Sequence, residues 1–598
     1  MFDNALQRSL VRLCLVIPLA LASTSQHASG QTTHRVSVSS SNEEGDWDSW
    51  SGKMSANGRF VVFSSLSTNL VPNDTNSVRD VFVRDRDLNG DGIFDDGAGI
   101  TVRLSVSSSG NQANGESDVP NISADGRYVT FTSFASNLVP GDANGFSDVF
   151  LHDRDPDGNG VFDEGNGVTR RMSVAPDGKG GNGPSAGGAI SANGRYVFFW
   201  SFAINLVPND TNLAYDVFVH DRDADGNGIF DEGPGSNTRL SVSSAGVQAD
   251  ADSTLCGITP DGRFACFFSY ALNLVPGGPV PQQIYVHDRD PDGNGVFDEG
   301  NGRTVQMSLT SAGKQPGGPC TNGAISADGR FVAFNSFATN LDPDDRNISS
   351  DVFLHDRDPD GNGVFDEGNA TTVRVSLDSQ GHEGDGNSFG PALSADGGLV
   401  AFTSYARLVP GAPDGSLLLR DVAAGTTSVL STRSSGQPGT GLSEDPAFSP
   451  NGRQVVFTST ARLDGDTTFN KDVFVKDRIA LQFHGPAAAG TPVHYTIEHA
   501  TGETGRLAIV MLSCSGTIGF PLPDGRSVPL TFDSCTVAGF GLIAILSATV
   551  DANGSASTPT FTFPSVPPNL PFYSAAVTLD QATGRFLSIT GPVETYTQ

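Results

Sequence analysis

The chain copies itself. A Gly-Arg or Gly-Gly step at the end of a short polar turn recurs at Gly58, Gly126, Gly194, Gly262, Gly329, Gly397 and Gly452. The intervals are 68, 68, 68, 67, 68 and 55 residues. A fixed period in a chain of 598 residues points to one supersecondary unit repeated around an axis or along a stack. In the second copy the constant pieces are Ile122–Ser133, ISADGRYVTFTS, and Ser147–Val174, SDVFLHDRDPDGNGVFDEGNGVTRRMSV. Near copies of the second piece begin at Asp80, Asp216, Gln283 and Asp351. The pattern predicts four strands per copy, here Val119–Ser123, Arg127–Ser133, Asp148–Asp153 and Thr169–Val174. Ser-Ala-Asp-Gly makes the first turn, where glycine supplies positive φ.

Runs such as Tyr196–Trp200 and Phe264–Phe268 are apolar at successive positions, which suits a sheet packed on both faces. Seven such sheets around an axis make a seven-bladed β-propeller, an all-β fold. The ends of the repeat support a ring. His34–Ser40 looks like a closing strand with no copy before it, and Asp472–Asp477 belongs to a seventh copy with no closing strand after it. The first can complete the sheet of the second and remove two exposed edges.

The residues ISADGR-YV-FTS, LVP-D-N and DVF--D resemble the TolB-like β-propeller repeat, seven times over, from about Thr33 to Asp477. The resemblance implies the propeller fold. The helical α/β N-terminal domain of a TolB proper has no counterpart here, and propellers of this type mostly bind partners or shape access to enzymes. Fold alone does not fix function.

Residues 1–30 carry Arg8 and Arg12, the apolar run Leu13–Ala22 and small residues to Gly30, the layout of a secretory signal peptide. The apolar run is about half the ~20 residues a membrane span needs. The expected product is exported: periplasmic, cell-surface or extracellular, and monomeric. The propeller is expected over residues 31–481 and a small C-terminal β-sandwich over 482–598. Net charge is −31, which argues against nucleic acid and anionic lipid as partners. Cys256 and Cys266 flank a turn and could pair across a hairpin, or could be buried thiols; Cys514 and Cys535 could staple the tail, and Cys320 is left over.

The loop after the third strand is the main candidate site. It follows Asp-x-Asp-x-Asn-Gly-x-x-Asp, with side-chain oxygens at positions 1, 3, 5 and 9 and a backbone carbonyl at 7. The five sets are Asp87, Asn89, Asp91, Ile93, Asp95; Asp155, Asp157, Asn159, Val161, Asp163; Asp223, Asp225, Asn227, Ile229, Asp231; Asp290, Asp292, Asn294, Val296, Asp298; and Asp358, Asp360, Asn362, Val364, Asp366. Crowded carboxylates repel by roughly 1–4 kcal/mol at 4 Å, so a cation is expected, and all-oxygen ligands favour calcium. The loops are similar to those of EF-hands, dockerins and thrombospondin type 3 repeats. Position 12 is Ala98, Asn166, Pro234, Asn301 or Asn369, so the bidentate Glu of an EF-hand is missing. The affinity expected is weak, on the order of 10⁻⁴–10⁻³ M.

Other chemistry-bearing residues read as scaffold. His152, His220, His287 and His355 recur at one blade position, whereas a catalytic base is needed once. Gly183-Pro-Ser185-Ala-Gly187 and Gly386-Asn-Ser388-Phe-Gly390 match Gly-x-Ser-x-Gly, but no helix follows either to make a nucleophile elbow. His382 and Glu383 look solvated, and Phe134, Phe202, Tyr270, Phe337 and Tyr405 enter one face in register and look like blade caps, with a ring lining a groove as the alternative. The expectation is a non-enzymatic binding or scaffold protein that presents a loop face to a protein or glycan. The alternative is a propeller enzyme, a glycan lyase or hydrolase. That reading requires unrepeated acid, base and cation residues to converge in the central pocket.

Overall fold

The computed structural model describes residues 32–478, apart from 91–93, 96, 98, 278 and 279, and backbone strands between 480 and 596. The first part is a seven-bladed propeller of four-stranded antiparallel sheets. From the axis outward, the second blade runs Ser117–Ile122, Tyr128–Ser133, Asp148–Asp153 and Val168–Arg171. The inner strands of the other blades start at Ser49, Ser185, Ser253, Cys320, Ser388 and Ser443. The seventh sheet is completed from the far end of the chain. Thr33, His34 and Arg35 pair with Lys476, Val475 and Phe474, and the Val36 N–H donates to Val473 O at 2.9 Å. The ring therefore closes as the sequence predicts, with a strand shorter than the pattern suggests because the chain turns at Ser37–Ser39.

The second strand of each blade explains why a ring is needed. Phe60 and Val62 pack toward the second blade, in one cluster with Val129 and Phe131. Val61 and Phe63, between them, pack toward the seventh blade beside Val456 and Val475. Both faces are apolar, so an isolated blade would expose one of them. In six blades an aromatic pair from the second and third strands stacks at 5.7–5.9 Å between centroids, as in Phe131 with Phe150. The glycine period has a steric cause. Gly126 has φ +84°, and a Cβ there would lie 2.3 Å from the Phe60 ring of the preceding blade.

The turns after the inner strands meet around the axis. The Ala56 N–H donates to Ala124 O at 2.9 Å, Ala124 to Ala192 at 3.1 Å, and Ala192 to Pro260 at 2.7 Å. These bonds narrow the channel at the turn face. The opposite face, where the inner strands begin and the second strands end, is the mouth.

Between Ala480 and Tyr596 the backbone strands pair in two antiparallel sheets. The expected signal segment and the Cys514–Cys535 staple lie outside the described residues. Cys256, Cys266 and Cys320 are free thiols. Cys256 falls in the bulge between Leu255 and Gly257, and its thiol touches that of Cys266 without a bond.

Ring closure gives a direct test. Val36 has no exposed surface, whereas Val373, on the outer strand of the fifth blade, is 48% exposed. Val36→Asp is expected to lose about 3 kcal/mol or more of stability in denaturant melts, and Val373→Asp about 0.5 kcal/mol or less. Equal losses would mean that the N-terminal strand does not carry the closure.

Candidate functional site

The acidic loops are built around an arginine that the sequence pattern does not single out. Arg86, Arg154, Arg222, Arg289 and Arg357 each follow the last aspartate of a third strand and are buried. Each grips the ninth-position aspartate of its loop. Nη2 lies 2.5 Å from Asp95, Asp163 and Asp298, 2.6 Å from Asp231 and 2.7 Å from Asp366. Nη1 donates to the turn-glycine carbonyl of the same blade, 2.6 Å for Arg154 to Gly126. Two aromatic faces sandwich the guanidinium: Arg154 lies 4.4 Å from the Phe60 ring and 4.8 Å from Phe162. Phe60 belongs to the preceding blade and Phe162 to the loop, so this loop and those of Arg222, Arg289 and Arg357 are clamped across a blade interface, while Arg86 meets the ring of Phe94 in its own loop.

The remaining loop positions stay together. Asp155, Asp223, Asp290 and Asp358 accept the N–H of Gly160, Gly228, Gly295 and Gly363 at 2.9–3.1 Å. Asn159, Asn227, Asn294 and Asn362 donate to Asp157, Asp225, Asp292 and Asp360 at 3.0–3.3 Å. The same amides reach Glu164, Glu232, Glu299 and Glu367 at 2.7–2.8 Å. Val161, Ile229, Val296 and Val364 are about half exposed. Asp91 and Ile93 lie outside the described residues. The aspartates before the loops are blade parts: Arg127 binds Asp153 in fork geometry at 2.8 and 2.9 Å.

The recurring histidines are scaffold. His152, His287 and His355 are buried, each with Nδ1 2.8–2.9 Å from a threonine hydroxyl, and burial pushes each down to about 4. Ser185 and Ser388, the serines of the two Gly-x-Ser-x-Gly matches, are buried and hydrogen-bonded to Ser201 and Ser404 at 2.8 and 2.9 Å. They have no role as nucleophiles. His382 is exposed, but Glu383 is drawn in to Arg374 at 2.8 Å.

Chemistry converges instead at the channel mouth. The channel holds a cavity of about 510 Å³ that runs from Val119 and Pro446 on the inner strands and Trp200 on a second strand to Ala124, Ala192 and Pro260 in the turns, and Lys53 is the charged residue in its lining. Its walls are the inner strands, and there the copies differ. The second inner-strand residue is Trp50, Asp118, Ala186, Thr254, Thr321, Phe389 or Glu444, the third includes Val119 and Asp445, and the fifth is Lys53 in the first blade only. Unrepeated charge thus gathers on the seventh, first and second blades. Asp118 accepts from Arg79 and from the Ser64 hydroxyl at 2.7 Å. Arg79 also lies 4.5 Å from the Trp50 ring, and Lys471 pairs with Glu444. Asp445 meets channel water but is hemmed in by protein. That confinement pushes its carboxyl up, and the Glu444 charge adds to the effect. Burial pushes the Lys53 ammonium down against the pull of Asp445. A carboxyl moved up within electrostatic reach of an amine moved down is an arrangement that acid–base sites share with structural ion pairs.

The backbone here is strained. Each inner strand carries a bulge at this level, and Ser51, Val119, Asn322 and Asp445 have φ between +52° and +58°. For a β-branched residue such as Val119 this is an outlier costing on the order of 1–3 kcal/mol. The aromatic residues that the sequence suggests as caps are open to solvent. Phe134, Phe202, Tyr270, Phe337 and Tyr405 are 37–65% exposed around the mouth. Pattern analysis misses the charged cluster because its signal is departure from the repeat. Aligning the seven inner strands for what does not recur would have found it.

No family model matches the chain, and no curated protein matches it. Several solved structures are similar in fold. One described as TolB of Agrobacterium tumefaciens is 15% identical and covers 63% of this chain and 93% of its own, with a TM-score of 0.30. PhoX of Pseudomonas fluorescens in complex with vanadate is 9% identical, covering 75% and 95%, with a TM-score of 0.30. A GH74 enzyme of Niastella koreensis is 11% identical, covering 93% and 69%, with a TM-score of 0.19. These likenesses concern the fold. They correct the expectation of a non-enzymatic protein, because chains of similar fold include enzymes such as GH74 and PhoX.

The buried histidines set a pH dependence. A histidine held neutral down to about 4 in the folded chain takes up a proton near 6.5 once unfolded. Its stabilisation is complete above 6.5 and is lost as pH falls from 6.5 to 4. Relative to wild type, His287→Gln is expected to flatten the stability–pH curve in that window by about 1.4 kcal/mol per pH unit. Parallel curves for the two proteins would contradict this.

Proposed function

We propose that the protein is an exported glycan-processing enzyme, a hydrolase acting on neutral sugar chains at the mouth of the propeller channel. The observation that carries this reading is the unrepeated cluster of Asp118, Glu444, Asp445 and Lys53 on strained inner strands. Asp445, its carboxyl pushed above the usual range, is suited to donate a proton to the leaving oxygen of a glycosidic bond. Once the proton is gone, Lys53 stabilises the carboxylate left behind. Asp118, oriented by Arg79 and Ser64, is the second carboxylate of the pair, opposing developing positive charge or directing water. Trp50, Trp200 and the ring of exposed aromatics offer flat faces for sugar rings. Net charge of −31 disfavours polyanionic chains, which argues for hydrolysis of neutral glycans over elimination at uronates.

We further propose that the acidic loops bind calcium. The contact between the Asp155 and Asp157 carboxyl groups supports this, since two charges so placed call for a cation. With Asp163 held by Arg154, the ligands would be Asp155, Asp157, Asn159, the Val161 carbonyl and Glu164, with equivalents in the other loops. A signal segment over 1–30, a propeller domain over 31–481, a C-terminal β-sandwich over 482–598 and a monomeric state complete the proposal.

Reducing-end release from a panel of neutral polysaccharides tests the enzyme reading. Wild-type protein is expected to cleave at least one. Asp445→Asn and Lys53→Met should lower kcat by about 10²-fold or more, while Phe134→Ala should mainly raise KM. No cleavage, or full activity in both charge variants, would discard it. For the loops, roughly millimolar calcium should raise Tm and a chelator should reverse the rise. An unchanged Tm would remove calcium from the account.

A further inference from the structure

Ion pairs on the mouth face recur from blade to blade, and the closing blade adds to them. At the start of the third strand an aspartate shares an outer-strand arginine with a loop aspartate. Arg103 lies 3.0 Å from Asp74 and 3.2 Å from Asp80, Arg171 3.0 Å from Asp142 and 3.2 Å from Asp148, and Arg239 3.1 Å from Asp210 and 3.2 Å from Asp216. The charges come and go together. In the fourth blade Gln283 replaces the aspartate and Gln306 the arginine, and the two amides interact.

The closing blade carries a third carboxylate. Glu44 occupies the bridge position that Gln112 and Gln248 hold elsewhere. It draws Arg35 to 2.6 Å, leaving the guanidinium 3.8 Å from Asp466 and 3.3 Å from Asp472. Glu383 does the same in the fifth blade, where Arg374 stands 3.6 Å from Asp345. The side chain of Asp466 has no exposed surface, and its Oδ2 has no hydrogen-bond partner. Glu44, Asp466 and Asp472 each bring a carboxylate oxygen within 4.8 Å of the others. With all three ionised, three carboxylates against one arginine carry a net charge of −2 around a buried oxygen that accepts no hydrogen bond. A divalent cation supplies both the charge and the missing partner, and an all-oxygen set selects calcium or magnesium over softer metals.

We propose that Glu44, Asp466 and Asp472 form a calcium site that latches the N-terminal segment to the seventh blade and so locks the ring. The site is separate from the acidic loops, which lie on the opposite face. Calcium here joins residues more than 420 positions apart in sequence, as the Thr467 hydroxyl already does by donating to Glu44 at 2.6 Å.

The test uses the full chain, stripped with a chelator and returned to calcium-free buffer. Calcium equivalents are counted by equilibrium dialysis. Hydrogen exchange of the Thr33–Val36 amides is followed with and without calcium. In wild type, calcium should slow that exchange about tenfold. Glu44→Gln installs the residue that two other blades tolerate. It should bind one equivalent fewer and lose the calcium-dependent protection, as should Asp466→Asn if the first variant fails to fold. Asp157→Asn, in an acidic loop, should leave the protection intact. Unchanged stoichiometry and protection in Glu44→Gln, or no calcium effect on these amides in wild type, would overturn the latch.

Discussion

Each blade is apolar on both faces, and everything else in the propeller follows from that. A sheet such as Phe60–Ser65, with alternate residues directed to opposite neighbours, has no stable single copy. It must be stacked, and a stack either ends in an exposed face or closes. Here it closes through Thr33–Arg35 on Asp472–Asp477, a contact spanning more than 430 residues. Closing a loop that long costs chain entropy that grows only slowly with length. The gain is burial of two blade faces at once, with Val36, Val473 and Val475 in one cluster. Closure is therefore favourable, but non-local.

Charge is used in two distinct ways. Where it repeats, it is structural: the fork of Arg127 on Asp153 ties a turn to a strand, and Arg154 between Phe60 and Phe162 ties blade to blade. The Arg154–Asp163 pair is buried, so the cost of desolvation offsets much of its attraction, whereas Arg127 keeps part of its side chain in water. Where charge does not repeat, as at Lys53, Asp118 and Asp445, no blade requires it. Beside them, at Ser51, Val119 and Asp445, the backbone is held at positive φ, and the Asp445 acid and the Lys53 amine are both moved toward neutrality. Scaffold and site are thus written in the same strands, one in what recurs and the other in what departs.

Much of the scaffold was legible because repetition multiplies a weak signal. Seven copies of a turn glycine fix the period, and an orphan strand with a vacancy at the far end fixes the closure. The scaffold role of His152 and its copies was legible for the same reason. The arginines between the paired aspartates were in plain view but unread, since a surface-like Asp-Arg-Asp string gives no sign that its middle residue is buried between two rings. Phe134 and its counterparts read as caps ahead of a groove lining, because an aromatic after a strand serves either role, and only the tertiary structure sets their exposure.

By itself the sequence determined the number of blades, their strand order, the strand that closes the ring and the two faces of the disc. All of these depend on local pattern and its period, which the succession of copies displays. Only the tertiary structure decided which residues meet. Trp50, Asp118 and Asp445 come from three different copies, and Glu44 joins Asp466 from opposite ends of the repeat. Curvature around an axis sets those distances, and no stretch of chain records curvature. The physical reason is that blade packing sums small rotations from every interface before the first and last blades can touch.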